Sequence, residues 1–452
     1  MRRKLGVLTR RERVIAAALL CAVAWPAFGA TLIRDAEVEA TVRRIANPIF
    51  TAASLDPDSI DVYVLRDSKL NAFVAGGQNL FVNTGLIIHA VDPDELAGVI
   101  AHETGHIAGG HLSRSLQAQQ EAGISSIAGA LLGAAAAVAG APALGMAVMA
   151  GGATVAQRGL LKFSRGQEEA ADQAAVTYLR ALKMSPQGLL DFFHVLETQN
   201  LRISAEGNEF LRTHPLTSDR IEFLERQVEV SPYRDTRPDP SLVAAYDRSV
   251  AKLDGFLSDP QDVLRRRPSD SVPDRYARAI AYYRIPDLDK SLSLVDGLIA
   301  QYPKDPYFAE LKGQILFENG RIVQSIPPYR EALRYRPDSS LIRYGLARAL
   351  MEGGQDTDLD EAAALLQEAV RIEPTNASAW RSLGIVQGRR GQEGLSALAL
   401  AEQAVLVNNR KDAEFYLRRA EQIVQPNDAA WLQLQDVSRA VGDMEVPQRR
   451  RP

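Results

Sequence analysis

His102-Glu103-Thr104-Gly105-His106 forms the pattern H-E-x-x-H, and the residues leading into it read as one amphipathic helix. Asp92 suits its N-cap, Pro93 its first turn and Glu95 a capping box, while Leu96, Val99 and Ile100 supply a buried stripe. Positions i and i+4 share a helix face, so His102 and His106 can grip one zinc ion. Glu103, one residue round, is then placed to act as general base toward a water that the metal activates. The chain holds 6 histidines, and half of them, His102, His106 and His111, crowd into this stretch.

A catalytic zinc normally takes three protein ligands and keeps one position open. The extended pattern H-E-x-x-H-x-x-G-x-x-H would use Gly109 as its turn, but it puts the third histidine at Leu112. His111 misses by one residue and, on a helix that continues, points off the ligand face, which leaves it a structural place or one behind the ligands. The alternative is a carboxylate from a second helix. Phe163-Ser164-Arg165-Gly166-Gln167-Glu168-Glu169-Ala170-Ala171-Asp172 offers one, with Ser164 as cap and Ala171, Ala174 and Ala175 small enough for close approach to the first helix. Glu168 and Asp172 are four apart, so Glu168 can bind the metal while Asp172 orients a ligating imidazole through its other nitrogen. Spacing alone equally allows both to be ordinary exposed helix acids.

A resemblance bears on that choice. The stretch from Ser164 to Asp172 resembles the S-R-x-x-E-x-x-A-D segment of the HtpX/CAAX-prenyl-protease family of gluzincin metallopeptidases. Asn71-Ala72-Phe73-Val74-Ala75-Gly76-Gly77 with Leu80-Phe81-Val82-Asn83-Thr84-Gly85-Leu86 resembles the family's N-A-F…G…V-x-T-G-L hairpin. His214-Pro215-Leu216-Thr217-Ser218-Asp219-Arg220-Ile221 resembles its H-P-x-x-x-x-R-I element. The resemblance implies one zinc ion per subunit held by His102, His106 and Glu168, with Asp172 behind them and Glu103 as the base. It also implies a catalytic place for His214 or Arg220 as oxyanion stabiliser, or else for His214 in the open metal position, holding the enzyme inactive. Sequence does not choose between these roles.

Arg2, Arg3, Lys4, Arg10, Arg11 and Arg13 precede an apolar run from Val14 to Trp25, and Ala27-Phe28-Gly29 is a small-x-small site, so 1–29 reads as a secretory signal peptide. Cys21, the single cysteine, falls inside it; the mature chain needs no disulfide in an oxidising compartment. Removing 1–29 takes away six basic residues and one acidic residue, moving the net charge from -4 to -9. So acidic a chain is a poor nucleic-acid binder.

Strand signals are sparse: Ile60-Asp61-Val62-Tyr63-Val64 alternates, and 71–75 and 80–83 flank a Gly-Gly-Gln-Asn turn. The 71–75 segment is the candidate edge for holding substrate by strand addition. Residues 122–157 carry no charge, are rich in Ala and Gly, and are broken at Gly140-Ala141-Pro142. Each half is too short to span a bilayer, which leaves a helical hairpin or lid, with peripheral membrane contact, a soluble cover or an oligomer contact as its uses. Beyond Arg237-Pro238-Asp239-Pro240 the chain turns all-helical and repetitive. Pro303, Pro337 and Pro374 recur at 34 and 37, Ala332, Ala369 and Ala404 at 37 and 35, and Trp380-Arg381-Ser382-Leu383-Gly384 matches the opening of a tetratricopeptide repeat.

The expected fold is mainly α: a zincin-type metalloprotease domain with a small β-sheet over 30–235, a linker with a helix over 236–273, an α-helical tetratricopeptide-repeat solenoid over 274–424, and a C-terminal helix and disordered tail over 425–452. Signal, motifs and repeats together resemble the family's periplasmic BepA-like branch. That resemblance implies a zinc-dependent endopeptidase of the bacterial cell envelope that degrades misfolded or stalled envelope and outer-membrane proteins. Its protein or peptide substrates, or an envelope or outer-membrane assembly protein, would sit in the repeat groove. The rival reading is a periplasmic chaperone or assembly factor with a structural zinc, closed by His214 as fourth ligand.

Overall fold

The computed structural model describes residues 31–75, 78–111, 165–202, 209–355 and 357–444. The expected signal peptide, the hairpin over 122–157, the Ser164 cap and the tail after 444 lie outside the described residues. Among those described, no helix is long and apolar enough to cross a membrane.

β1 (Thr31–Ile33) leads into α1 (Ala36–Ala52), whose N-cap Asp35 accepts from the backbone N–H groups of Glu37 and Val38. Val38, Val42, Ile45, Ile49 and Phe50 recur at helical spacing and are all buried. β2 (Val62–Arg66), β3 (Ala72–Ala75) and β4 (Asn79–Asn83) complete a sheet of order β1-β2-β4-β3. β3 and β4 pair antiparallel across the expected turn, while β2 pairs parallel with β4 and antiparallel with β1. Val64, Ala72, Leu80 and Val82 point into the core. On the other face Tyr63, Phe81 and Phe73 stand in register across three strands, their rings stacked at 5.1 and 5.0 Å.

α2 (Thr84–His89) is followed by α3 (Pro93–Ala108), capped by Asp92 through bonds of 2.8 and 3.2 Å from Asp94 N and Glu95 N. Glu95 does not close the expected box on Asp92; it bonds to the backbone of Val91 instead. α3 is buried along most of its length and forms the axis of the N-terminal core. It stops at Ala108, and Gly110, with φ +61°, reverses the chain, so the continuing helix expected through His111 is not formed. α4 covers 165–181, and α5 (Gln187–Arg202), α6 (Glu209–Thr213) and α7 (Ser218–Glu229) close the half.

α8 (Pro240–Leu257) and α9 (Pro260–Arg266) lead to helical hairpins: α10 (Val272–Arg284) with α11 (Leu288–Gln301), α12 (Pro306–Glu318) with α13 (Ile322–Tyr335), α14 (Ser340–Gly353) with α15 (Asp358–Ile372), and α16 (Ala377–Arg389) with α17 (Glu393–Leu406). α18 (Arg410–Glu421) and α19 (Trp431–Asp443) cap the stack. Pro303, Pro337 and Pro374 each stand just past the second helix of a hairpin, where proline stops a helix without costing it a hydrogen bond. The recurring glycine of the first helices makes room for side chains. A β-carbon on Gly313 or Gly345 would meet the same Tyr329 ring, at 2.8 and 2.7 Å.

The two halves are fastened by buried charge. Arg248 on α8 pairs with Glu37 of α1 and, at 2.5 Å, with Asp305. Lys252 Nζ lies 2.7 Å from Asp35, 3.6 Å from Glu37 and 3.7 Å from Glu310 of α12. The Tyr276 hydroxyl donates to Glu37 at 2.8 Å. Four carboxylates here face two cations, and Glu310 Oε2 is buried without a hydrogen-bond partner. Burial above all pushes the Glu310 carboxyl up to about 8, against the attraction of Lys252. The folded chain therefore holds a proton that the unfolded chain, with an ordinary glutamate near 4.3, gives up, and stability falls as pH rises between those values. Replacing Glu310 with Gln should accordingly stabilise the protein by an amount that grows from pH 5 to pH 8 and then levels off. Urea unfolding of both proteins at pH 5, 7 and 9 checks this; a difference independent of pH would refute it.

Candidate metal centre

The site is assembled from α3, α4, the turn after α6, and α7. α3 and α4 can meet closely because position 105 is glycine: a β-carbon there would stand 3.0 Å from the Ala171 main chain. His102 Nε2 then lies 3.1 Å from His106 Nε2, and Glu168 reaches both, at 3.3 and 3.4 Å. His214, anchored by its N–H on Phe210 O at 2.7 Å, turns Nδ1 inward to 3.4 Å from His102 Nε2 and 3.1 Å from Glu168. Its ring packs on Phe210 with centroids 4.6 Å apart.

These four residues form a group able to hold a metal ion. Zinc takes nitrogen and oxygen ligands at about 2.0–2.1 Å, and a tetrahedron of that radius has edges of about 3.3 Å; five of the six donor separations run from 3.1 to 3.4 Å, and all lie within 4.8 Å. Charge leads the same way. Glu103, Glu168, Asp172 and Arg220 are all buried, so with neutral imidazoles and ionised acids the site carries three negative charges and one positive. The balance is that of one divalent cation.

Asp172 Oδ1 lies 2.9 Å from His102 Nδ1, the ring nitrogen facing away from the cluster. Arg220 grips Asp172 through Nε and Nη2 at 2.6 and 2.9 Å, donates from Nη1 to Pro215 O at 2.8 Å, and lies 3.2 Å from Glu168. Its guanidinium packs over the Phe193 ring. With these donors turned onto Asp172, Pro215 and Glu168, Arg220 is arranged as a clamp on Asp172. Glu103 Oε1 is buried without a hydrogen-bond partner, 3.5 Å from His214 Nε2. His111 is not among the four donors; its Nδ1 sits 3.0 Å from His106 Nδ1.

Burial pushes the Glu103 carboxyl up. It acts against ionisation of Glu168 and Asp172 too, but bonds from His102 and His214 hold Glu168 well below the carboxylate range, and those from Arg220 and His102 hold Asp172 down. Burial and the neighbouring imidazoles lower His106 to about 2, whereas Asp172 and Glu168 outweigh burial at His102 and raise it to about 9. Without a metal the proton among the donors therefore sits on His102, and a bound cation would take its place. Sequence reading missed Phe210 and Phe193, which belong to no motif. Gly105 could have been noticed, since a glycine inside a buried helix marks a close approach.

Residues 33–228 match the model of peptidase family M48, and 276–334 and 316–383 match tetratricopeptide-repeat models. Over 384 residues, 83% of this chain and 78% of the relative, the chain is 25% identical to a Yersinia pestis protein named beta-barrel assembly-enhancing protease. It is 22% identical over 389 residues, 85% of this chain and 79% of the relative, to the protein of that name from Escherichia coli (strain K12). Over 197 residues, 42% of this chain and 70% of the relative, it is 29% identical to the metalloprotease LoiP of the same strain. The chain carries a metallopeptidase domain of family M48 followed by C-terminal tetratricopeptide repeats.

Proposed function

We propose that this chain is a zinc-dependent endopeptidase of the bacterial periplasm, delivered by a signal peptide over 1–29, that acts on misfolded or stalled envelope and outer-membrane proteins. The observation that carries the chemistry is the convergence of His102, His106 and Glu168 beside the buried carboxylate of Glu103, whose Oε1 has no hydrogen bond. The envelope setting is supported by relatives named for beta-barrel assembly and by the leader composition. When bound to His102, His106 and Glu168, zinc would supply Lewis acidity toward a water and the scissile carbonyl. Glu103 takes the proton from the attacking water and returns it to the leaving amine. Asp172, clamped by Arg220, fixes the ring of His102. Substrate backbone adds to β3, one of the two edge strands of the described sheet. The repeats hold substrate or an assembly partner; one hollow of about 270 Å³, lined by Arg371, Trp380, Leu383 and Gln387 among others, suits an inserted side chain.

In this reading His214 fills the fourth position and holds the resting enzyme inactive, for which the 3.1–3.4 Å spacing of its Nδ1 from Glu168 and His102 is the support. The same closure by four donors favours the second reading, an assembly factor with structural zinc.

Four substitutions separate these. Glu168→Ala should lose zinc while Glu169→Ala, whose residue is exposed, keeps it; equal retention measured by metal analysis would remove Glu168 from the ligand set. Glu103→Gln should keep zinc and abolish hydrolysis of an unfolded protein, so parental turnover in that variant would rule out the base. His214→Ala, at equal zinc occupancy, should raise casein cleavage and self-cleavage several-fold. A loss on the order of a hundredfold would make His214 an oxyanion donor instead, and inactivity of both parent and variant would favour the structural zinc.

A further inference from the structure

His102 has a carboxylate behind it, but His106 has another histidine. His106 turns Nε2 toward the donor cluster, so its Nδ1 faces out, 3.0 Å from Nδ1 of His111. Two ring nitrogens at that distance share one proton, and there are two ways to place it. If His111 donates, His106 must carry its own proton on Nε2, aimed at His102 Nε2 and Glu168 Oε1, and cannot ligate. If His106 donates, its Nε2 lone pair is free for a metal, and His111 accepts through Nδ1 with its own proton on Nε2.

The chain is shaped to hold this contact. α3 ends at Ala108, and Gly110 in the left-handed region turns the backbone so that His111 folds back on the last turn. The ring lies against Gly109, where a β-carbon would stand 2.4 Å from His111 Nε2. The main-chain oxygen of His111 accepts from Gln167 Nε2 at 3.0 Å, and Gln167 adjoins Glu168. One buried residue therefore touches the second histidine through its side chain and the carboxylate-bearing helix through its backbone. An imidazole also fits there: a fourth buried acid would add to a site already rich in negative charge.

We propose that His111 is a positioning residue that fixes His106 in the tautomer and ring orientation presenting Nε2 to the metal, and ties that ring to the helix carrying Glu168. The inference rests on the metallopeptidase reading of the site. It is tested on the full chain with Zn²⁺ in chelator competition and with Co²⁺ as a spectroscopic probe. His111→Phe keeps the ring but not the acceptor, and should weaken Zn²⁺ binding on the order of 10–100-fold and alter the visible Co²⁺ spectrum, with the metal-free melting temperature unchanged. His111→Asn, whose Oδ1 can accept the same proton, should recover affinity to within a few-fold of the parent. Gly109→Ala leaves His111 in place but displaces its ring, and should lose affinity like the phenylalanine variant, which covers the case in which the latter does not fold. Parental affinity in His111→Phe, or equal losses in the Phe and Asn variants, would overturn the positioning role. A parent chain that binds no Zn²⁺ would instead overturn the metal site itself.

Discussion

A glycine at position 105 lets α3 and α4 touch main chain to main chain, and the geometry of the peptidase half follows from that distance. At this separation a glutamate on α4 reaches both histidines of α3 from one position, and an aspartate one turn further on meets the outer nitrogen of the first. A β-carbon at 105 would press on the Ala171 main chain at 3.0 Å, so the close approach would have to loosen. The approach also concentrates acids where water is scarce. Arg220 answers part of that charge, and burying it is tolerable because its donors are used on Asp172, Glu168 and a carbonyl.

How much of this was legible depends on how local the determining signal is. The α3 helix is written into its own residues: a capping Asp92, a proline in the first turn, an apolar stripe and two histidines four apart. The third donor was not. Glu168 and Glu169 are neighbours of the same chemistry, and only the packing of α4 on α3 makes one buried and the other exposed, which is why spacing left the matter even and the motif was needed. β1 is too short to show a period, and the parallel pairing of β2 with β4 has no turn to announce it. His111 lies behind His106, outside the donor group, as read, but not on a continuing helix: α3 stops at Ala108, and paired glycines at 109 and 110 are a stop signal. Nothing in the sequence says that the partner of Arg220 lies 48 positions away.

In the repeat half the spacing was clear but its cause was not. Tyr329 sits between glycines of two successive hairpins, so one aromatic ring sets the distance between units as a gauge block would. The charges that fasten this half to α1 were invisible for a different reason. Asp35, Glu37, Arg248, Lys252 and Glu310 are scattered over most of the chain, and each alone reads as a solvated surface residue.

That fastening has a consequence for the order in which the molecule can be built. A chain is made and threaded from its N-terminus, so Glu37 emerges with the first helix, whereas the residues that neutralise and enclose it, Arg248, Lys252, Tyr276 and the helix carrying Glu310, arrive more than two hundred residues later. An unpaired carboxylate resists burial, so α1 cannot settle fully into the peptidase core until the first hairpins of the repeat half have been delivered. The sequence distance between partners thus works as a completion check: a prematurely ended chain would retain H-E-x-x-H yet have no means of seating the helix on which that core rests.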